Sequence, residues 1–343
     1  MSLYRIIKKI NSLILGLLLI ASTELKSQGC CSGGSGSPIA GGSSQGVLQN
    51  RQLELASNFQ YTQSNRFFAK DKDTVALFDK LSSKYLYFRL AYGITERLTM
   101  SVETGYFLDK TQIGLHKKDT ITSSGIADLI LFPRYNVYNN CGEKRLTELT
   151  LGMGYKIPLG KYNDSNVVYK DPTTGKKYYT TSPPNIQPTT GSNDFIFYGF
   201  FMQDYTNKKF KFFANALYIR KGWNPLGQKF GDYASVGLFI SKSFFKKRLG
   251  LTLQAKGELV GKLKADRNVD MIALYNVYPS STGSRKIFVV PQLNFTYKTF
   301  TIYAFSEIPV YQYLHGTQVG SDFHINAGMA YRFVIRKKQI VVK

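Results

Sequence analysis

The sequence predicts an all-β fold, a transmembrane antiparallel up-and-down β-barrel of about twelve strands, on the strength of three observations. Hydrophobic residues make up 43% of the chain, yet no apolar run approaches the ~20 residues that a membrane helix needs. Apolar and polar residues instead alternate with period two from Gln52 almost to the C-terminus. The connections between the alternating stretches are by turns short and long, as in bacterial outer-membrane barrels with short periplasmic turns and longer external loops. A soluble sandwich has no reason to alternate its loop lengths so strictly.

The elements follow in order. Arg5, Lys8 and Lys9 precede an apolar core from Leu13 to Ala21, and small and polar residues run on through Ser27. Residues 1–27 therefore read as a secretory signal peptide. Residues 28–50 are dominated by Gly and Ser and are expected to be a flexible segment that can enter the barrel. The barrel is expected over 51–336, and a basic tail closes the chain at 337–343.

Strands are expected near 52–62, 84–93, 97–107, 125–137, 146–159, 194–205, 209–220, 233–244, 249–260, 286–297, 300–311 and 322–335. Each is near the ~9–11 residues that carry a tilted strand across a bilayer. In the first, Leu53, Leu55, Phe59 and Tyr61 share the lipid face while Glu54, Ala56, Asn58 and Gln60 face inward. The sixth is apolar on both faces, which leaves its orientation open. Pro133 and Pro291 lie inside strands, where each removes a ladder donor, so bulges are expected at both. Long loops are expected at 63–83, 108–124, 160–193, 221–232, 261–285 and 312–321.

The same alternation turns Glu54, Arg89, Glu103, Asp128, Arg134, Glu148, Lys156, Lys256, Glu258, Glu307, His324 and Arg332 toward the lumen. Hairpin arithmetic sets Arg89 opposite Glu103 and Arg134 opposite Glu148, and barrel closure brings Arg332 to Glu54. The plain reading is a set of ion pairs stiffening a polar interior. The sharper one is a charged constriction that selects solutes.

Nothing in the sequence marks an enzyme. A lipid-hydrolase barrel would need a His two residues before a Ser, but His116 precedes Lys118, His315 precedes Thr317 and His324 precedes Asn326. Cys30, Cys31 and Cys141 form no disulfide framework. Lipidation at Cys30 lacks the Leu expected three positions upstream. Adjacent cysteines without a nearby His make no tetrahedral ligand set, so neither metal nor cofactor is expected. The net charge of +23 sits largely in the signal, turns and loops, which points to lipopolysaccharide and outer-membrane lipid as partners, not to nucleic acid. Nothing addresses the oligomeric state.

Three blocks resemble a known family. They are Tyr92-Gly-Ile-Thr-Glu-Arg-Leu98, Gly125-Ile-Ala-Asp-Leu-Ile-Leu-Phe-Pro-Arg-Tyr135 and Leu149-Thr-Leu-Gly-Met-Gly-Tyr-Lys-Ile-Pro-Leu-Gly160. They resemble the transporter-like outer-membrane barrels named for the meta-pathway of phenol degradation. The resemblance implies a bacterial outer-membrane channel admitting an aromatic or otherwise hydrophobic small molecule, with no catalytic residues to carry over. Gln28 and the Cys-Cys-Ser-Gly-Gly run are similar to exported proteins of Bacteroidota. A second reading is a closed barrel that docks a partner through loop 160–193, which carries Tyr162, Tyr169, Tyr178 and Tyr179.

Overall fold

The computed structural model describes residues 46–117, 120–205, 210–245, 248–275 and 277–335. The expected signal peptide, Cys30 and Cys31, and the expected tail lie outside the described residues, as do Lys118, Lys246, Lys247 and the turn at 206–209.

Among the described residues, twelve strands close into one antiparallel barrel. They are β1 (Gln52–Ser64), β2 (Lys80–Gly93), β3 (Leu98–Ile113), β4 (Asp128–Cys141), β5 (Leu146–Pro158) and β6 (Asp194–Tyr205), then β7 (Phe210–Arg220), β8 (Tyr233–Phe244), β9 (Leu249–Val260), β10 (Ser284–Tyr297), β11 (Phe300–Val319) and β12 (Phe323–Val334). Each pairs with its neighbours in sequence. β12 closes on β1 from Gln52↔Val334 to Gln63↔Phe323, which leaves no free edge.

The outer wall is an apolar band. Leu55, Phe88, Leu90, Leu151, Leu238 and Leu293 are each 45–50% exposed, which a soluble protein would bury. Lipid covers them here. Among the described residues no helix is long and apolar enough to cross a membrane.

β6 resolves its ambiguity by turning Phe195 and Phe197 outward and Ile196, Phe200 and Met202 inward. Phe200 and Met202 pack with Phe213 and Phe239. A second buried apolar group, Phe288, Val290, Tyr303 and Phe305, lines β10 and β11. The lumen is therefore apolar over part of its wall, which strict alternation does not lead one to expect.

Neither expected proline bulge is found at its proline. Around Pro133 the ladder to β5 passes from Leu131↔Tyr155 to Arg134↔Gly152 in unchanged register, with the two intervening pairs unmade. Around Pro291 the ladder to β11 passes likewise from Val289↔Ile308 to Gln292↔Phe305. A missing donor is tolerated as a ladder gap without an extra residue. The bulges lie nearby instead, between Asn136 and Tyr138 and between Ile287 and Phe288, the latter opposite Pro309.

Short turns occupy one end of the barrel, and the other end is elaborated. The 63–83 connection holds a small hairpin (Phe67–Lys70 with Lys72–Thr74) that pairs with the projecting end of β11. The expected loop at 312–321 is largely strand, because β11 runs on to Val319. Ile121–Ile126 pairs with the outer end of β3, so the expected fourth strand is split there. Loop 160–193 forms a projecting hairpin (Ser165–Lys170 with Lys177–Thr181). Its return, residues 182–193, then folds into the barrel mouth, where Ser182 and Ile186 are both 0% exposed.

Candidate functional site, the barrel interior

The lumen is organised as charged groups stacked from the turn end to the loop end. Nearest the turns, Glu54 accepts from Arg332 Nε at 2.5 Å and lies 3.5 Å from Arg89 Nη2, its own side chain fully buried. Arg89 stands opposite Glu103 in the β2–β3 register, with Nε 3.7 Å from its carboxylate. Four strands are thus joined by one alternating network, Arg332–Glu54–Arg89–Glu103. Removing charges from water is costly, and alternation of sign within hydrogen-bonding distance offsets that cost.

The Arg134–Glu148 pair expected from hairpin arithmetic is not made. β4 continues to Cys141 and turns through Gly142–Arg145, and the Asn136/Tyr138 bulge adds an offset. Arg134 consequently faces Gly152, and Glu148 faces Asn139. The Gly152 site suits the long side chain opposite, since a Cβ there would stand 3.0 Å from Arg134 Cγ. Arg134 lies over the Phe132 ring at 5.8 Å. Glu148 is fully buried with no hydrogen-bond partner among the described residues.

Midway up the wall, Lys256 bridges Glu307 at 3.1 Å and Glu258 at 3.5 Å. His324 Nδ1 meets the same Glu307 at 3.2 Å and its ring lies beside Phe288. The contacts of His324 are thus a lumen carboxylate and a lumen aromatic, on the side of the wall away from lipid esters. Tyr233 donates its hydroxyl to Glu258 at 3.0 Å.

At the loop end, Lys156 lies 3.1 Å from Asp128 and 2.9 Å from Asp194, and Lys221 adds a second cation to Asp194 at 3.1 Å. This cluster anchors the inward segment. Lys156 Nζ donates to Thr190 Oγ1 at 2.8 Å, Thr189 donates its hydroxyl to Asp128, and Asn224 Nδ2 donates to the Thr190 carbonyl at 3.0 Å. Lys110 Nζ, on β3, donates to the Gln187 carbonyl at 2.8 Å. Between the segment and the wall lies a cavity of about 300 Å³, lined by Tyr85, Tyr87, Phe107, Lys110, Asp128 and Phe230 among others.

Asp194, Lys221, Lys110 and the aromatic lining do not emerge from the sequence reading. Asp194 carried a signal, since it opens a strand on the inward register. Lys110 and Lys221 sit where loops were expected, so no periodicity assigned them a side.

Of the loop tyrosines, Tyr169 and Tyr178 pack together at 5.8 Å on the projecting hairpin, and Tyr179 is 62% exposed. Tyr162 lies apart from them, against Gly191 at the root of the loop. Asp171 caps the hairpin turn by accepting from Thr174 Oγ1 at 2.6 Å and from the Thr173 amide at 2.8 Å. These bonds, the hydroxyl first, hold its carboxyl below the usual range.

At the turn end the chain enters the barrel before β1. Val47 and Leu48 are buried, and the Leu48 amide donates to Thr99 Oγ1 at 2.7 Å. Gly93 makes room for this entry, because a Cβ there would lie 1.9 Å from the Gln49 carbonyl oxygen.

No family model matches the chain, and no curated protein matches it. The resemblance carried by the three sequence blocks therefore has no support from a family model. Among solved structures, the fold is similar to that of an outer-membrane channel from Pseudomonas putida F1, with a TM-score of 0.63 over 84% of this chain and 97% of that one at 12% identity. The chain shares the closed antiparallel β-barrel fold of that channel. The KdgM porin (TM-score 0.41, 8% identity, 81% of this chain and 99% of that one) and the monoaromatic hydrocarbon channel TodX (0.40, 10%, 84% and 91%) align more loosely.

Proposed function

We propose that this barrel is a passive channel for a small, aromatic or otherwise hydrophobic molecule, closed at its loop end by residues 182–193. The observation that carries the reading is the cavity of about 300 Å³ beneath that segment, walled by Tyr85, Tyr87 and Phe107 on one side and by the segment on the other. A barrel serving only as a scaffold has no use for an internal chamber with aromatic walls and a roof held by a few polar bonds. Breaking those bonds widens the opening of the chamber. The likeness to an outer-membrane channel supports the same reading at the level of fold. On this reading residues 1–27 direct export and are removed, and the lumen charges set which solutes pass.

The test is solute entry into liposomes holding the refolded chain. A small aromatic alcohol should enter faster than a sugar of similar size, and entry should rise when residues 28–50 are deleted if they obstruct the turn end. No entry of either solute through a barrel shown to be folded would overturn the reading.

One observation favours the docking alternative. Tyr169, Tyr178 and Tyr179 stand 47–62% exposed on a hairpin clear of the barrel rim. Amphipathic aromatics of this kind supply contact area at low entropic cost. Were the barrel closed to all solutes, partner binding through this hairpin would be the function that remains.

A further inference from the structure

A groove of about 360 Å³ opens on the outside of the wall, where β7 to β11 reach the loop end. Its floor includes Ala234 and Leu259; its rim includes Lys262, Arg285 and His315. Registration fixes its height. Arg285 sits between Leu259 and Tyr313 on neighbouring strands. Two residues further down the same face is Ile287, beside Tyr311, both roughly half exposed in the lipid-facing band. Tyr218, Tyr311 and Tyr313 are spread along this level, as amphipathic rings are at a membrane–water boundary.

The charges of the groove are unbalanced. Its one carboxylate, Asp232, is already engaged, accepting from the Tyr218 hydroxyl at 3.0 Å and from the Lys221 amide at 2.9 Å. Arg285 and Lys262 make no ion pair among the described residues, although most inward-facing cations of the lumen do. Two cations thus stand together at the edge of the lipid band, above an apolar slot. A guanidinium in that position presents the fork geometry that takes a phosphate on two oxygens, and basic pockets at the bilayer surface recognise phosphorylated headgroups.

We propose that this groove binds a phosphorylated glycolipid of the outer leaflet. Arg285 and Lys262 hold its phosphate, and its acyl chains lie along Leu259, Val236 and Ile287 below. The site is independent of whether the barrel conducts, since it lies on the far side of the wall from the lumen.

The experiment is native mass spectrometry of the refolded full chain in detergent, titrated with diphosphoryl lipid A. The wild-type chain should retain one lipid through detergent removal. R285Q/K262Q should lower the bound fraction roughly tenfold or more, as loss of two charge-assisted contacts implies. K176Q/K177Q, on the distant hairpin, should bind as wild type does. Heat-modifiable electrophoretic mobility shows that each variant is folded. On the wild-type chain alone, dephosphorylated lipid A should bind at least several-fold more weakly, an arm that depends on no variant folding. Undiminished binding by R285Q/K262Q, equal binding of dephosphorylated lipid A, or displacement by an equal concentration of inorganic phosphate would each overturn the proposal, the last by making this a small-anion site.

Discussion

At the residue scale, burial and not proximity decides what an ion pair contributes. Glu54 is fully buried and serves two guanidiniums, whereas the Arg66–Asp73 pair, also within hydrogen-bonding distance at 2.8 Å, is exposed and solvated. E54Q should therefore destabilise the barrel by about 3–5 kcal/mol, because Arg332 loses its counter-charge and Arg89 keeps only the more distant Glu103. D73N should change stability by less than about 1 kcal/mol. Urea unfolding of the refolded chain in lipid, followed by tryptophan-independent mobility or circular dichroism, measures both. Equal effects would show that the lumen network is solvated. The Glu54–Arg332 and Arg89–Glu103 contacts were legible in the sequence because their hairpins have tight, regular turns and the barrel must close. Arg134 and Glu148 were misplaced because β4 runs four residues further, to Cys141, and a bulge shifts the register without leaving a mark in the alternation.

At the element scale, two segments decide access to the lumen, and each hangs on a small number of atoms. Gly93 admits the 46–50 segment at the turn end by lacking a Cβ. G93A should displace that segment and raise trypsin cleavage after Arg51 several-fold in the folded barrel. Cleavage at the wild-type rate would mean that the entry is not held by this close approach. At the loop end, Lys156 ties the inward segment to Asp128 and Asp194 at once. K156M leaves Asp194 with Lys221 alone and Asp128 without an ion pair among the described residues, and should make residues 182–193 susceptible to limited proteolysis while the twelve strands stay protected. Such a fold-back is nearly invisible in sequence. Ser, Thr, Asn and Pro loop residues look alike whether they face water or the interior of a barrel, and only long-range partners such as Lys110 and Asn224 tell the two apart.

At the scale of the whole molecule, the period-two pattern is almost sufficient. Lipid selects apolar side chains at every second position, and closure forbids free edges, so strand count and loop alternation follow from the sequence with little ambiguity. What the pattern does not reveal is how full the lumen is. Phe200, Phe213, Phe239 and Phe288 are buried inside, where a water-filled pore would carry polar groups. A twelve-stranded barrel is narrow enough for such side chains to occupy much of it. On the channel reading passage depends on rearrangement, and residues 182–193, tied into the mouth by side-chain hydrogen bonds from Lys110, Lys156 and Asn224, are the part that must move.

Conductance across a planar bilayer, compared between the wild-type chain and a variant with residues 183–190 replaced by a short Gly–Ser link, tests that account most directly. The account predicts a low or intermittent conductance for the wild type and a several-fold higher, steadier one for the variant. Identical conductance in the two, or none in either from barrels shown to be folded, would contradict it.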